Sequence, residues 1–264
     1  MKIIVPIKQV PEIAEVKIDP ETKTLVREGV PSILNPFDEF AVEEAVRIKE
    51  KYGGEVIVVT MGPPQAQEAL KKCLAMGADR ALHLCDRTFA GADTWATAYT
   101  IAQAIKTLEP YDLVICGKQA IDGDTAQVGP EIAEVLGIPQ ITYAIKVEIS
   151  ENQKRLKVHR ETDEGYEIID CRLPVLLTAT KGLNEPRLPS LMAIMAASKK
   201  EIKTVTAEEL GGDKDQYGLS GSPTQVVEVF APEIRTGGIK IDGTEDPVTA
   251  AKQLVEWLLE KGII

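Results

Sequence analysis

Asp112-Leu113-Val114-Ile115-Cys116-Gly117-Lys118-Gln119-Ala120-Ile121-Asp122-Gly123-Asp124-Thr125-Ala126-Gln127-Val128-Gly129-Pro130 is the stretch whose reading decides the fold. Its first five residues form an apolar run of the kind buried in a parallel sheet. A loop of small residues follows and opens onto an apolar-periodic helix, Glu131-Ile132-Ala133-Glu134-Val135-Leu136, closed by Gly137. Such a loop, between a strand's carboxyl end and a helix N-terminus, is where α/β folds bind phosphates and nucleotides. Backbone N–H groups lack partners there, and glycine lets a ligand approach the main chain. No Gly-Lys-Ser/Thr of a P-loop is present, and two aspartates would repel a bare triphosphate. Asp124 and Thr125 have a second reading, as caps of the following helix.

Upstream, strands and helices alternate. Residues 1–8 read as a first strand, and residues 16–26 as a protruding β-hairpin around Asp19-Pro20-Glu21-Thr22-Lys23. Asn35 as N-cap, Pro36 at the first helical position and Asp38-Glu39 in the first turn start a helix that runs to about Lys51. The strand 56–60, a helix from Gly62-Pro63-Pro64 to Met76 and a short strand 81–84 come next. Asp93 or Thr94 caps a helix that ends near Leu108. Regular β-α-β alternation predicts a doubly wound, mostly parallel, Rossmann-like sheet with right-handed crossovers. The loops at residues 6–10, 60–64 and 117–130 should then converge at one end of the sheet.

Downstream the pattern changes. Residues 146–149, 156–160 and 166–170 read as an additional β-hairpin region with a third strand, and residues 176–179 as a last buried strand. Beyond Lys181 the chain is irregular, and a final amphipathic helix spans about 247–261 with Ala251, Leu254, Val255, Trp257 and Leu258. Residues 1–198 are therefore expected to form an adenine-nucleotide or FAD-binding α/β domain. Residues 199–264 are expected to be an extended arm ending in a helix, with too little local core to stand alone and suited to wrapping a partner subunit.

Composition narrows the function classes. A net charge of −11 argues against nucleic acid or an anionic membrane as partner. No apolar run approaches membrane-spanning length, so an integral membrane protein is not expected. Residues 1–8 are too short for a signal peptide. Cys73, Cys85, Cys116 and Cys171 are scattered, with no Cys-x-x-Cys pair and 2 His, and read as small residues of a reducing cytosol, not a metal site. A cytoplasmic protein is expected.

Several blocks resemble one family. Val158-His159-Arg160-Glu161-Thr162-Asp163-Glu164-Gly165-Tyr166-Glu167-Ile168-Ile169-Asp170-Cys171-Arg172-Leu173-Pro174-Val175-Leu176-Leu177-Thr178 is similar to the signature of the electron transfer flavoprotein beta subunit. Asn35-Pro36-Phe37-Asp38-Glu39-Phe40-Ala41-Val42-Glu43-Glu44-Ala45, Ala75-Met76-Gly77-Ala78-Asp79-Arg80, Gly117-Lys118-Gln119-Ala120-Ile121-Asp122 and Leu183-Asn184-Glu185-Pro186-Arg187 resemble further family blocks in the same order. The resemblance implies a heterodimer with an alpha subunit that carries a redox-active FAD. It also implies an adenine nucleotide in the beta subunit: AMP in ordinary members, or a second FAD reduced by NADH in electron-bifurcating members.

Three places resemble the bifurcating branch: Gly91-Ala92-Asp93-Thr94-Trp95-Ala96-Thr97, Asp124-Thr125-Ala126-Gln127-Val128-Gly129-Pro130 and Gly221-Ser222-Pro223-Thr224-Gln225-Val226. Thr94 and Thr97 lie three apart on one helix face, beside N-terminal N–H groups suited to a pyrophosphate; the alternative is that Thr94 caps and Thr97 packs. The expected nucleotide-binding residues are Pro6, Asn35, Met61, Asp93, Thr94, Thr97, Asp122, Gly123, Asp124, Thr125, Gln127, Val128 and Gly129. No catalytic side chain is expected, because the flavin carries the chemistry. Expected electron acceptors are an acyl-CoA dehydrogenase-like protein, through the alpha flavin, and ferredoxin or flavodoxin.

Leu191 aligns with the leucine that anchors family members on their dehydrogenase, although Met192-Ala193 replaces the expected Pro-Asn. Leu191, Ile194 and Met195 have a second reading as a stripe packed on the sheet. Other readings of the whole chain are an ordinary AMP-containing relay subunit, a Fix-type subunit passing electrons to quinone, and a non-redox nucleotide-binding module sharing only the fold.

Overall fold

The computed structural model describes residues 1–12, 31–228 and 238–264. In chain order the strands are β1 (Lys2–Pro6), β2 (Gln9–Pro11), β3 (Ser32–Leu34), β4 (Glu55–Met61), β5 (Arg80–Leu84), β6 (Leu113–Gly117), β7 (Gln140–Ile149), β8 (Arg155–Thr162), β9 (Gly165–Arg172), β10 (Val175–Ala179) and β11 (Ile202–Val205). The helices are α1 (Pro36–Tyr52), α2 (Gln67–Met76), α3 (Thr94–Lys106), α4 (Val128–Leu136), α5 (Leu191–Ala197), α6 (Ala207–Leu210) and α7 (Pro247–Glu260). The hairpin expected over residues 16–26 lies outside the described residues.

Period-two alternation along the central strands gives the sheet two apolar faces. Ile3, Val5, Val56, Val58, Leu113 and Ile115 enter one core, with Ala41, Val42 and Ala45 of α1 and Leu70 and Cys73 of α2. Their neighbours Ile4, Val59, Val114 and Cys116 enter the other, with Ala98, Ile101 and Ile105 of α3 and Ile132 and Ala133 of α4. Helices therefore cover both faces, as the β-α-β alternation predicts.

Nine strands form one sheet in the order β11-β5-β4-β1-β6-β10-β7-β8-β9. Pairs from β11 to β7 are parallel, and β7-β8 and β8-β9 are antiparallel, the additional hairpin region. β10 inserts between β6 and β7, a placement that local pattern does not encode. From β1 the chain winds outward through β4 and β5, then returns to the other side of β1 as β6. The crevice between the carboxyl ends of β1 and β6 is the topological switch point, where open α/β sheets bind ligands.

The described chain divides into two compact units, Met1–Glu228 and Val229–Ile264. Residues 199–228, assigned to the arm on sequence, lie with the first unit: β11 pairs with β5 at the sheet edge, and Tyr217 is buried against Phe89 and Tyr99. The second unit carries α7, whose N-cap Asp246 accepts from the backbone N–H of Val248 at 3.2 Å and of Thr249 at 3.1 Å. Val248, Leu254, Val255 and Leu259 of α7 are exposed. Among the described residues no helix is long and apolar enough to cross a membrane.

Candidate functional site

The two strands flanking the switch point are tied by one carboxylate. Asp38, in the first turn of α1, accepts from the Lys8 backbone N–H at 2.7 Å through Oδ2 and from the Gly117 N–H at 3.1 Å through Oδ1. It is 5% exposed, and burial pushes its carboxyl up to about 7 even though those N–H groups favour the ionised form. Below the ordinary value of 3.8 the group is protonated in folded and unfolded chains alike; as pH rises from there to about 7, ionisation favours the unfolded chain and that stabilisation is lost. Asp38→Asn cannot ionise, so its melting temperature relative to the parent should rise across that window and level off above it. About three pH units at about 1.4 kcal/mol each put the upper limit near ~4 kcal/mol. A difference between the two proteins that does not change with pH would show that Asp38 does not titrate there.

Asn35 precedes α1 but does not cap it with its side chain. The buried amide instead holds the switch-point loop: Nδ2 donates to Gln119 O at 2.9 Å, and Oδ1 accepts from Ile121 N–H at 3.2 Å. Lys8 Nζ reaches the same loop, donating to both Asp122 oxygens at 2.7 and 2.8 Å. The loops after β1 and β6 thus meet, and the segment after β4 joins them where Gln9 Nε2 donates to Gln65 O at 3.0 Å. Convergence of the three loops, expected from topology, is what the structure shows.

Asp124 and Thr125 do not cap α4. Asp124 has left-handed backbone, φ 56°, and its carboxylate accepts from Gln119 Nε2. The N-cap position is Gln127, with no side-chain cap. The first-turn N–H groups of Val128 and Gly129 are thereby left for another acceptor. Gly129 brings the helix close to the sheet: a Cβ there would stand 2.8 Å from Cys116 Sγ and 3.0 Å from Thr178 Cγ2.

The N-terminus of α3 lies beside that of α4. Thr94 Oγ1 is 3.1 Å from Glu131 Oε1 and 3.4 Å from Gln127 Oε1. Glu131 Oε2 is buried without a partner among the described residues, and burial raises its carboxyl above the ordinary value. Asp93 caps α3 through Ala96 N–H at 3.0 Å. Its other oxygen accepts from the Thr224 N–H and hydroxyl, both at 2.9 Å, and its own N–H donates to Ser222 Oγ at 2.8 Å. Burial would raise this carboxyl, but those donors hold it below its ordinary value. Asp93 is therefore occupied in joining residues 222–224 to α3, and the half-buried Thr97 hydroxyl makes no hydrogen bond among the described residues.

Pro6 is buried at the end of β1, and Met61 ends β4, the next strand over. Asp122, Gly123, Asp124 and Thr125 are exposed in the loop, and Val128 is half-buried in the first turn of α4. Lys8, Asp38 and Glu131 also belong to this site and were not singled out on sequence. Lys8 stands two residues beyond the end of β1, whereas Asp38 reads locally as an ordinary first-turn acid. Elsewhere, Leu191 is 73% exposed at the start of α5, with Ile194 and Met195 exposed too, which corrects the reading of these residues as a stripe packed on the sheet.

Residues 22–210 match the model of the electron transfer flavoprotein domain. The chain is 55% identical over 271 aligned positions, covering both chains completely, to an electron transfer flavoprotein subunit beta of Thermoanaerobacterium thermosaccharolyticum. It is 52% identical over 265 positions, again covering both chains, to the caffeyl-CoA reductase-Etf complex subunit CarD of Acetobacterium woodii. Protein FixA of Azotobacter vinelandii is 43% identical over 266 positions, covering 99% of this chain and 94% of its own.

Proposed function

The chain belongs to the electron transfer flavoprotein family as a beta subunit, and on that premise we propose that its switch-point site holds FAD in an electron-bifurcating heterodimer with an alpha subunit. The observation that carries this reading is the pair of adjacent helix N-termini, α3 and α4, the second without a side-chain cap. A helix N-terminus favours negative charge through its dipole and free N–H groups. Asp93 already caps α3, so the free Val128 and Gly129 N–H groups of α4, beside the α3 terminus, are what suit the pyrophosphate of a dinucleotide.

The residues present fit such a group. Val128 and Gly129 would offer N–H groups to the pyrophosphate, Thr97 a free hydroxyl, and Asn35 and Lys8 hold the loop that shapes the pocket. Few cations are free to neutralise phosphate: Lys8 is paired with Asp122, and Lys118 Nζ sits over the rings of Phe37 at 5.0 Å and Tyr143 at 5.5 Å. Main-chain groups therefore dominate recognition. A FAD held by these residues would supply hydride acceptance from NADH and single-electron release, which suits an acyl-CoA dehydrogenase-like acceptor reached through the alpha-subunit FAD and a ferredoxin or flavodoxin as the second acceptor. The name of the Acetobacterium relative, a subunit of a caffeyl-CoA reductase complex, supports an acceptor that acts on acyl-CoA.

Leu191 is the anchor on that acceptor in this reading, and the unit carrying α7 is the arm that the alpha subunit covers. An ordinary AMP-containing subunit is the second reading, favoured by the Thr94 hydroxyl already contacting Glu131.

Thr94→Val with Thr97→Val, made in the heterodimer, tests the site. After desalting, the double variant should lose beta-subunit flavin while keeping the alpha flavin, because it removes the free Thr97 hydroxyl, a contact of about 1 kcal/mol or more, and the Thr94 hydroxyl that holds Glu131 beside the two helix N-termini. Unchanged flavin retention would remove the hydroxyls from the argument.

A further inference from the structure

The segment leading to the exposed helix α5 is fastened to α1 by an arginine held between two carboxylates. Arg187 donates from Nε to Glu43 Oε2 at 2.8 Å and from Nη2 to Glu43 Oε1 at 3.2 Å. The same guanidinium donates from Nη1 to Glu50 Oε1 at 2.6 Å and from Nη2 to Glu50 Oε2 at 3.0 Å. The backbone N–H of Arg187 adds a bond to Glu43 Oε2 at 3.1 Å. Glu43 is 2% exposed and also accepts from Arg47 Nε at 2.6 Å, while Arg47 Nη2 reaches Glu185 O at 2.9 Å. Burial would raise the Glu43 carboxyl, but Arg187 and Arg47 outweigh it and hold the carboxyl below its ordinary value. Asn184 Nδ2 completes the fastening, donating to Phe40 O at 3.0 Å and Glu44 Oε2 at 2.9 Å.

Glu43 and Glu50 are seven residues apart on α1, two turns on one face, and a planar guanidinium can fork to both. An isolated surface pair would contribute little, but here one partner is buried and both forks are used. The helix that follows lies against α2 and buries Ala197 in the first core, whereas its residues Leu191, Met192 and Met195 are 73%, 81% and 58% exposed, and Leu188 before it is 94% exposed. Burial of the Leu191 side chain itself therefore does not fix where it stands, and the start of α5 depends on the segment that leads into it.

We propose that Arg187 is the positioning residue of the docking surface, setting the apolar face of α5 for its acyl-CoA dehydrogenase-like partner. The role rests on the docking reading given under the proposed function. Binding to a preorganised element avoids the cost of ordering it at the moment of association. A lysine would keep the charge and lose the fork.

Arg187→Lys in the heterodimer tests this by hydrogen exchange over residues 188–197 and by electron transfer to a purified acyl-CoA dehydrogenase, one that the parent heterodimer reduces. The expected result is faster exchange and a KM for the dehydrogenase raised about fivefold or more, with kcat changed by less than about twofold. Glu50→Gln should move both readouts the same way by less. Parental exchange and parental KM in Arg187→Lys, while Leu191→Ala raises KM, would overturn the positioning role and leave the docking surface standing. Parental KM in both Leu191→Ala and Arg187→Lys would remove the docking surface itself, and the positioning role with it.

Discussion

Gly117→Ala should cost about 3 kcal/mol or more of stability and, with the switch-point site read as a nucleotide site, leave the heterodimer unable to retain the nucleotide proposed there. A Cβ at Gly117 would lie 2.3 Å from Asp38 Oδ1 and 2.8 Å from the Phe37 backbone carbon. The first is the oxygen that accepts the Gly117 N–H, and the second belongs to the first turn of α1, which cannot yield without moving the helix. Either the carboxylate swings away, leaving N–H groups of Lys8 and Gly117 without their acceptor, or β6 separates from α1. Both responses displace the loop that follows β6. Thermal melts together with nucleotide content after gel filtration check the outcome. A variant that melts like the parent and keeps its nucleotide would show that the junction of β1, β6 and α1 does not shape the site.

Leu191→Ala should raise the KM for an acyl-CoA dehydrogenase about thirtyfold, the equivalent of losing ~2 kcal/mol of binding from a hot-spot side chain. The melting temperature should not fall, because Leu191 is 73% exposed and its removal opens no cavity. A leucine packed in a core would instead cost about 2–5 kcal/mol of stability. Unchanged transfer kinetics would remove Leu191 from the docking surface, and an unchanged KM with a lowered melting temperature would return it to a packing role.

The wound sheet was legible because each central strand is an apolar run and two of the helices that cover it carry a local start. Pro36 with Asp38-Glu39 begins α1, and Asp93 caps α3 as its residue type predicts. The edge strand β11 was not legible: Lys203 and Thr204 face solvent, so Ile202 and Val205 leave no alternation to read. Within the site, residue types misled wherever a side chain serves a distant segment. Asn35 looks like a helix cap, yet its amide bonds to the loop at Gln119 and Ile121. Asp93 caps α3 with one oxygen and spends the other on Thr224, 131 residues away in sequence, a pairing its residue type does not announce. Asp38 carried no signal beyond that of a first-turn acid, and its task depends on Lys8 and Gly117 meeting beside it. Such pairings arise from topology, which local pattern does not encode.

The central claim is that the adjacent N-termini of α3 and α4 hold a dinucleotide. It is tested most directly by denaturing the desalted heterodimer and identifying the released nucleotides by chromatography and mass. The account predicts two FAD per heterodimer and no AMP; one FAD with one AMP would contradict it.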